Sequence, residues 1–103
     1  MSSFSFRGKV VLITGASSGI GAQLAREFGR SGAQLVLLGR RQARLESLAT
    51  ELSAAGTEAL ALSCDVTRDE DLESAFARAK ARFGGVDVVV ANAGFGVVGR
   101  LDQ

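Results

Sequence analysis

The sequence predicts an α/β fold: a doubly wound parallel sheet in the strand order 3-2-1-4, with helices on both faces. Three observations carry that expectation. Short runs of strand character recur at Val10 to Ile13, Leu35 to Leu38, Glu58 to Ser63 and Val86 to Ala91. Between them lie stretches whose apolar residues repeat at helical spacing. The residues with chemical character gather where the runs end, at Gly15, Gly39-Arg40, Cys64-Asp65-Val66 and Asn92-Ala93-Gly94. The alternation is βαβαβαβ, and right-handed crossovers make such strands parallel, with their C-terminal ends on one rim.

Taken in order, residues 1–8 read as a loose arm from which Phe4 and Phe6 can pack beneath the sheet. Val10 to Ile13 is apolar throughout, as a strand covered on both faces requires. Ile20, Leu24, Ala25 and Phe28 give a first helix from Ile20 to about Ser31, stopped at Gly32. Leu35 to Leu38 is the second strand. Leu45, Leu48, Ala49 and Leu52 then set a second helix, stopped at Gly56. The third strand places Leu60 and Leu62 on one face. Thr67-Arg68-Asp69-Glu70 has the form of a capping box, so the third helix is expected to start from Thr67 and to carry the stripe Leu72, Ala75, Phe76, Ala79, Phe83. Gly84-Gly85 ends it. Val86 to Ala91 is the fourth strand, and the tail from Phe95 to Gln103 has no period of its own.

With 103 residues the chain is one domain at most, large enough for a core. A formal net charge of +1 and 22% charged residues suggest neither nucleic acid nor an anionic membrane as partner. No apolar stretch approaches membrane-spanning length, and the first residues lack the layout of a signal peptide. Cys64 stands alone, so no intrachain disulfide forms and a cytoplasmic setting is expected. Its environment reads as that of a small buried residue. No metal site is expected.

The stretch that organises the chain is Thr14-Gly15-Ala16-Ser17-Ser18-Gly19-Ile20-Gly21. A strand, a glycine turn and a helix in this sequence aim free backbone N–H groups and a positive helix end at a phosphate. Gly15 turns the chain, Gly19 lets a pyrophosphate approach the backbone, and Gly21 lets the helix pack closely on the strand. Ser17 and Ser18 offer hydroxyls for phosphate or for capping the helix. The spacing is T-G-x-x-x-G-x-G, and it resembles the cofactor loop of the short-chain dehydrogenase/reductase family, whose fold is a Rossmann-type sheet.

Dinucleotide-binding sheets commonly carry an acid at the end of the second strand, holding the ribose hydroxyls. Here Gly39 is followed by Arg40 and Arg41. An arginine clamps a 2′-phosphate where an acid repels it, so NADP is expected over NAD, with Arg40 ahead of Arg41. Asp65-Val66 resembles the family segment in which a carboxylate accepts from the adenine amino group; capping of the next helix by Asp65 with Thr67 is the other reading. Asn92-Ala93-Gly94 matches the family's N-A-G motif, with Ala91 where many members carry another asparagine. By that resemblance the loop supports the central sheet and lines the ribose and nicotinamide side of the cofactor.

The resemblance runs from about Phe6 to Gly94. It implies hydride transfer between a nicotinamide cofactor and a small-molecule carbonyl or alcohol, with a tyrosine as proton donor and a nearby lysine lowering its pKa. The chain has no tyrosine and no histidine, and its lysines are Lys9 and Lys80. No catalytic residue is therefore expected within it. Residues 1–103 are expected to be the N-terminal, cofactor-binding part of a single such domain, without turnover alone. Its fourth strand would then be an open apolar edge, for which self-association is expected. The alternative is a non-catalytic nucleotide-binding or assembly module of the same fold.

Overall fold

The computed structural model describes residues 5–92 and the short strand at 97–98. The strands are β1 (Val10–Thr14), β2 (Gln34–Gly39), β3 (Ala59–Ser63), β4 (Val88–Ala91) and β5 (Val97–Val98), and the helices α1 (Gly19–Arg30), α2 (Gln42–Ala54) and α3 (Asp69–Phe83). They assemble in the sheet order β3-β2-β1-β4-β5. The four longer strands are parallel; β5 alone runs antiparallel, against β4.

The alternation of side chains along the buried strands explains the two layers. Val11, Ile13, Leu35, Leu37 and Val90 point to one face and meet Ala25 of α1 with Leu45, Leu48 and Leu52 of α2. Val10, Leu12, Val36, Leu38 and Leu62 point to the other and meet Ala75 and Ala79 of α3. Two successive crossovers through α1 and α2 carry the chain outward from β1 to β3 on the first face. A third, through α3, returns it past β1 on the second. The direction of strand addition therefore reverses at β1, and in such sheets ligands bind beside that point, at the C-terminal ends of the strands.

The N-terminal arm is tied down at Phe6: its N–H donates to Ser31 O at 2.8 Å, and its ring meets Phe28 edge-on at 4.9 Å. Phe4 lies outside the described residues. Asp87, expected within the fourth strand, instead precedes β4 and clasps the start of β1. Its Oδ2 accepts from Val10 N at 2.8 Å, and its own N–H donates to Val10 O at 2.8 Å.

Two expectations are corrected. The Thr67 capping box does not form: Arg68 is the N-cap, without a side-chain cap bond, and α3 starts at Asp69. Thr67 instead lies one residue before the N-cap, turned back to Asp65: its hydroxyl donates to Asp65 Oδ1 at 2.6 Å and its N–H to the same oxygen at 3.0 Å. Asp69, Glu70 and Asp71 in the first turn still suit the positive helix end. The edge of β4 is also not open along its centre, since Val89 pairs with Val98 and Val90 with Val97. Among the described residues no helix is long and apolar enough to cross a membrane.

Candidate functional site: the rim at the ends of the parallel strands

The loop between β1 and α1 is built around the Ser18 hydroxyl. Ser18 is the N-cap of α1; its Oγ accepts from Gly21 N at 3.1 Å and donates to Gly15 O at 2.8 Å. Asn92, just past β4, sends Nδ2 to the same two oxygens, to Gly15 O at 3.2 Å and Ser18 Oγ at 3.1 Å. A hydroxyl has one proton and two lone pairs, so Ser18 is fully engaged within the protein. Of the two roles open to it, it takes the capping one. Ser17 is left facing the crevice.

The glycines divide by what requires them. Gly15 has φ +64°, a left-handed conformation that turns β1 into the loop. A Cβ on Gly21 would lie 2.2 Å from Gly15 O and 2.8 Å from Ala16 Cα, so the close approach is to the loop backbone rather than to the strand. Gly19 has no such constraint: a Cβ there meets nothing within 4 Å. Open space in front of Gly19 suits a ligand lying against the backbone. Among the described residues no acceptor takes the N–H of Ser17, Gly19 or Ile20, as expected of a helix start aimed at an anion. Ile20 is 70% exposed, the one large apolar side chain so placed among the described residues.

The other strand ends are stitched to this loop. Ala16 N donates to Leu38 O at 2.9 Å, and Cys64 N to Gly39 O at 2.8 Å. Gly39 lies so close beneath Ser17 that a Cβ would come within 2.9 Å of its Oγ. Gly15, Ser17, Gly39, Arg40, Arg41, Cys64, Val66 and Thr67 together line an open cleft of about 400 Å³. Arg40 reaches across its mouth to Asp65, Nη2 to Oδ1 at 3.3 Å. Arg41 is the N-cap of α2, with no side-chain cap bond and no acid in the helix's first turn.

Asp65 follows β3 and is held from several sides. Oδ1 accepts from the Thr67 hydroxyl at 2.6 Å and the Thr67 N–H at 3.0 Å, and the Asp65 N–H donates to Asp71 Oδ2 at 2.9 Å. Those bonds from Thr67, with a further one from Arg40, hold its carboxyl below the usual carboxylate range. The Cys64 thiol is pushed the other way, chiefly by burial and then by the Asp71 and Asp65 charges. It is a buried, free cysteine, as its sequence context suggested.

The rim thus brings together Gly15, Ser17, Ser18, Gly19, Ile20, Gly21, Arg40, Arg41, Asp65, Val66 and Asn92. Ala93 and Gly94 lie outside the described residues. Sequence reasoning missed the linkages: Asn92 to Ser18, Arg40 to Asp65, and Asp71 to the Asp65 backbone. These span 74, 25 and 6 positions, and no local spacing signals the first two.

A family profile described as short chain dehydrogenase matches residues 9–103. The chain belongs to the short-chain dehydrogenase family. A farnesol dehydrogenase from Aedes aegypti is 44% identical over 88 residues, which are 84% of this chain and 36% of that protein. Among solved structures, L-sorbose reductase from Gluconobacter frateurii, complexed with NADPH and L-sorbose, superposes with a TM-score of 0.82 at 36% identity, covering 86% of this chain and 34% of that one. The 3-ketoacyl-(acyl-carrier-protein) reductase from Brucella melitensis, complexed with NADH, gives 0.77 at 41% identity, covering 84% and 34%. The chain therefore spans about a third of the length of these family members.

Proposed function

We propose that the chain is the adenosine- and phosphate-binding part of an NADP-preferring oxidoreductase of the short-chain type, acting on a carbonyl or alcohol. The observation that carries this reading is the pairing of an open, glycine-floored helix start with arginines where an acid would hold ribose hydroxyls. The nicotinamide cofactor supplies hydride chemistry when bound; the residues here seat it. The backbone N–H groups of Ser17, Gly19 and Ile20 hold the diphosphate, Arg40 and Arg41 take the 2′-phosphate, Asp65 accepts from the adenine amino group, and Val66 walls the adenine. Asn92 keeps the phosphate loop in shape, and by the family resemblance the ribose and nicotinamide side falls to Ala93 and Gly94. The sorbose reductase is bound to NADPH and the ketoacyl reductase to NADH, so the preference rests on Arg40 and Arg41 rather than on kinship.

With no tyrosine and no histidine, the 103 residues hold no group suited to deliver the proton that accompanies hydride transfer. The test is kcat/KM of the full-length protein with NADPH and with NADH across a panel of aldehydes and ketones, beside the 103-residue polypeptide. Turnover by the full-length protein with NADPH preferred, and none by the polypeptide, is expected. Binding of NADPH without turnover of any substrate in the full-length protein would instead favour a nucleotide-binding module.

A further inference from the structure

Arg40 is a long side chain, 72% exposed, and among the described residues its one ion-pair partner is Asp65. Asp65, by contrast, is fixed. Its carboxylate is held by both polar hydrogens of Thr67, its N–H by Asp71, and its C=O accepts from Arg68 N at 2.9 Å. The preceding residue is bonded to Gly39 O, directly before Arg40. The anchor and the root of the arginine are therefore parts of one rigid rim, and only the arginine's own torsions are free.

The tether uses one of the several N–H groups of a guanidinium, leaving the others to face a phosphate. Holding a rotamer-rich side chain in place beforehand removes part of the ordering cost of binding. The Asp65 charge alone would repel a 2′-phosphate. That charge is already met by three donors at Oδ1, and at an exposed site such repulsion is well screened.

We propose that Asp65 is a positioning residue for Arg40, and through it a determinant of the choice between a 2′-phosphate and a 2′-hydroxyl on the adenosine ribose. This rests on the NADP reading above and adds a second residue to it.

The experiment is a double-mutant cycle on the full-length protein, measuring Kd for NADPH and NADH in wild type, Asp65→Asn, Arg40→Ala and the double variant. Asparagine is isosteric and keeps an acceptor for Thr67, so the turn survives while the charge facing Arg40 is lost. Any change in the adenine contact affects both cofactors alike and cancels in their ratio. Asp65→Asn is expected to lower the NADPH preference about two- to fivefold, the range of an exposed ion pair, and to leave it unchanged when Arg40 is already alanine. An unchanged or increased preference in Asp65→Asn, with Arg40→Ala still reducing it, overturns the tether and leaves the NADP reading standing. If Arg40→Ala itself leaves the preference intact, both fall.

Discussion

Replacing Ser18 by alanine removes a hydroxyl that serves three partners: the Gly21 N–H, the Gly15 carbonyl and the Asn92 amide. Loss of a serine N-cap costs about 1 kcal/mol, within a range of roughly 0.5–2. Because Asn92 also gives up one of its two contacts, we place Ser18→Ala at about 1–1.5 kcal/mol, with water taking up some of the freed groups. Asn92→Ala removes both of its bonds to the loop and should cost about 1 kcal/mol. The two substitutions share one interaction, so the double variant should fall short of the sum by about 0.5–1 kcal/mol. Urea unfolding with an unchanged m-value measures all three numbers. The affinities for NADPH and NADH should fall together, since the proposed site has the loop seat the diphosphate common to both. Strict additivity, or a Ser18→Ala variant as stable as wild type but poor in cofactor binding, would refute the reasoning. The latter would mean that the hydroxyl faces the phosphate.

The two glycines of the helix start should separate fold from ligand. Gly21→Ala drives a Cβ to 2.2 Å from Gly15 O and should cost about 1–3 kcal/mol of stability; Gly19→Ala meets no protein atom and should stay within about 0.5 kcal/mol of wild type, yet lose about tenfold or more in dinucleotide affinity if the cofactor lies there. In the core, Leu37→Ala, at a fully buried site between α1, α2 and the sheet, should destabilise by about 2–5 kcal/mol in the same unfolding assay. Asp65 gives a pH signature. Its folded pKa is depressed, so its contribution is present above the unfolded value of about 3.9 and is lost as pH falls through the lower folded value. Asp65→Asn should therefore flatten that acidic part of the stability profile and leave neutral and alkaline pH dependence unchanged.

What could be read from the sequence was whatever is encoded locally. Continuous apolar runs marked β1, β2 and β4 because strands covered on both faces have no polar side to show. Helical periodicity marked α1 to α3, and the glycine spacing marked the loop. The rim followed from topology, since parallel strands must bring Gly15, Arg40, Asp65 and Asn92 to the same side. What failed depended on contacts among neighbours. Thr67 matches a capping pattern, but its N–H and hydroxyl both turn back to Asp65 two residues earlier, which leaves it outside the helix, and α3 begins at Asp69 with Arg68 as N-cap. Asp87 looks like a polar interruption in a strand; its role, bonding both backbone groups of Val10, exists only once β1 and β4 are adjacent. β5 has only two residues and no pattern of its own, and is defined by pairing with β4.

The most direct test of the account uses the adenosine fragment alone, because the described residues are those proposed to seat it. Titrating the full-length protein with 2′,5′-ADP and with 5′-AMP compares ligands that differ only in the 2′-phosphate. If Arg40 and Arg41 hold that group, 2′,5′-ADP should bind roughly tenfold or more tightly, as a charge-assisted contact of about 1.5–3 kcal/mol requires, and Arg40→Ala should remove most of the difference. Equal affinities for the two ligands would contradict the account.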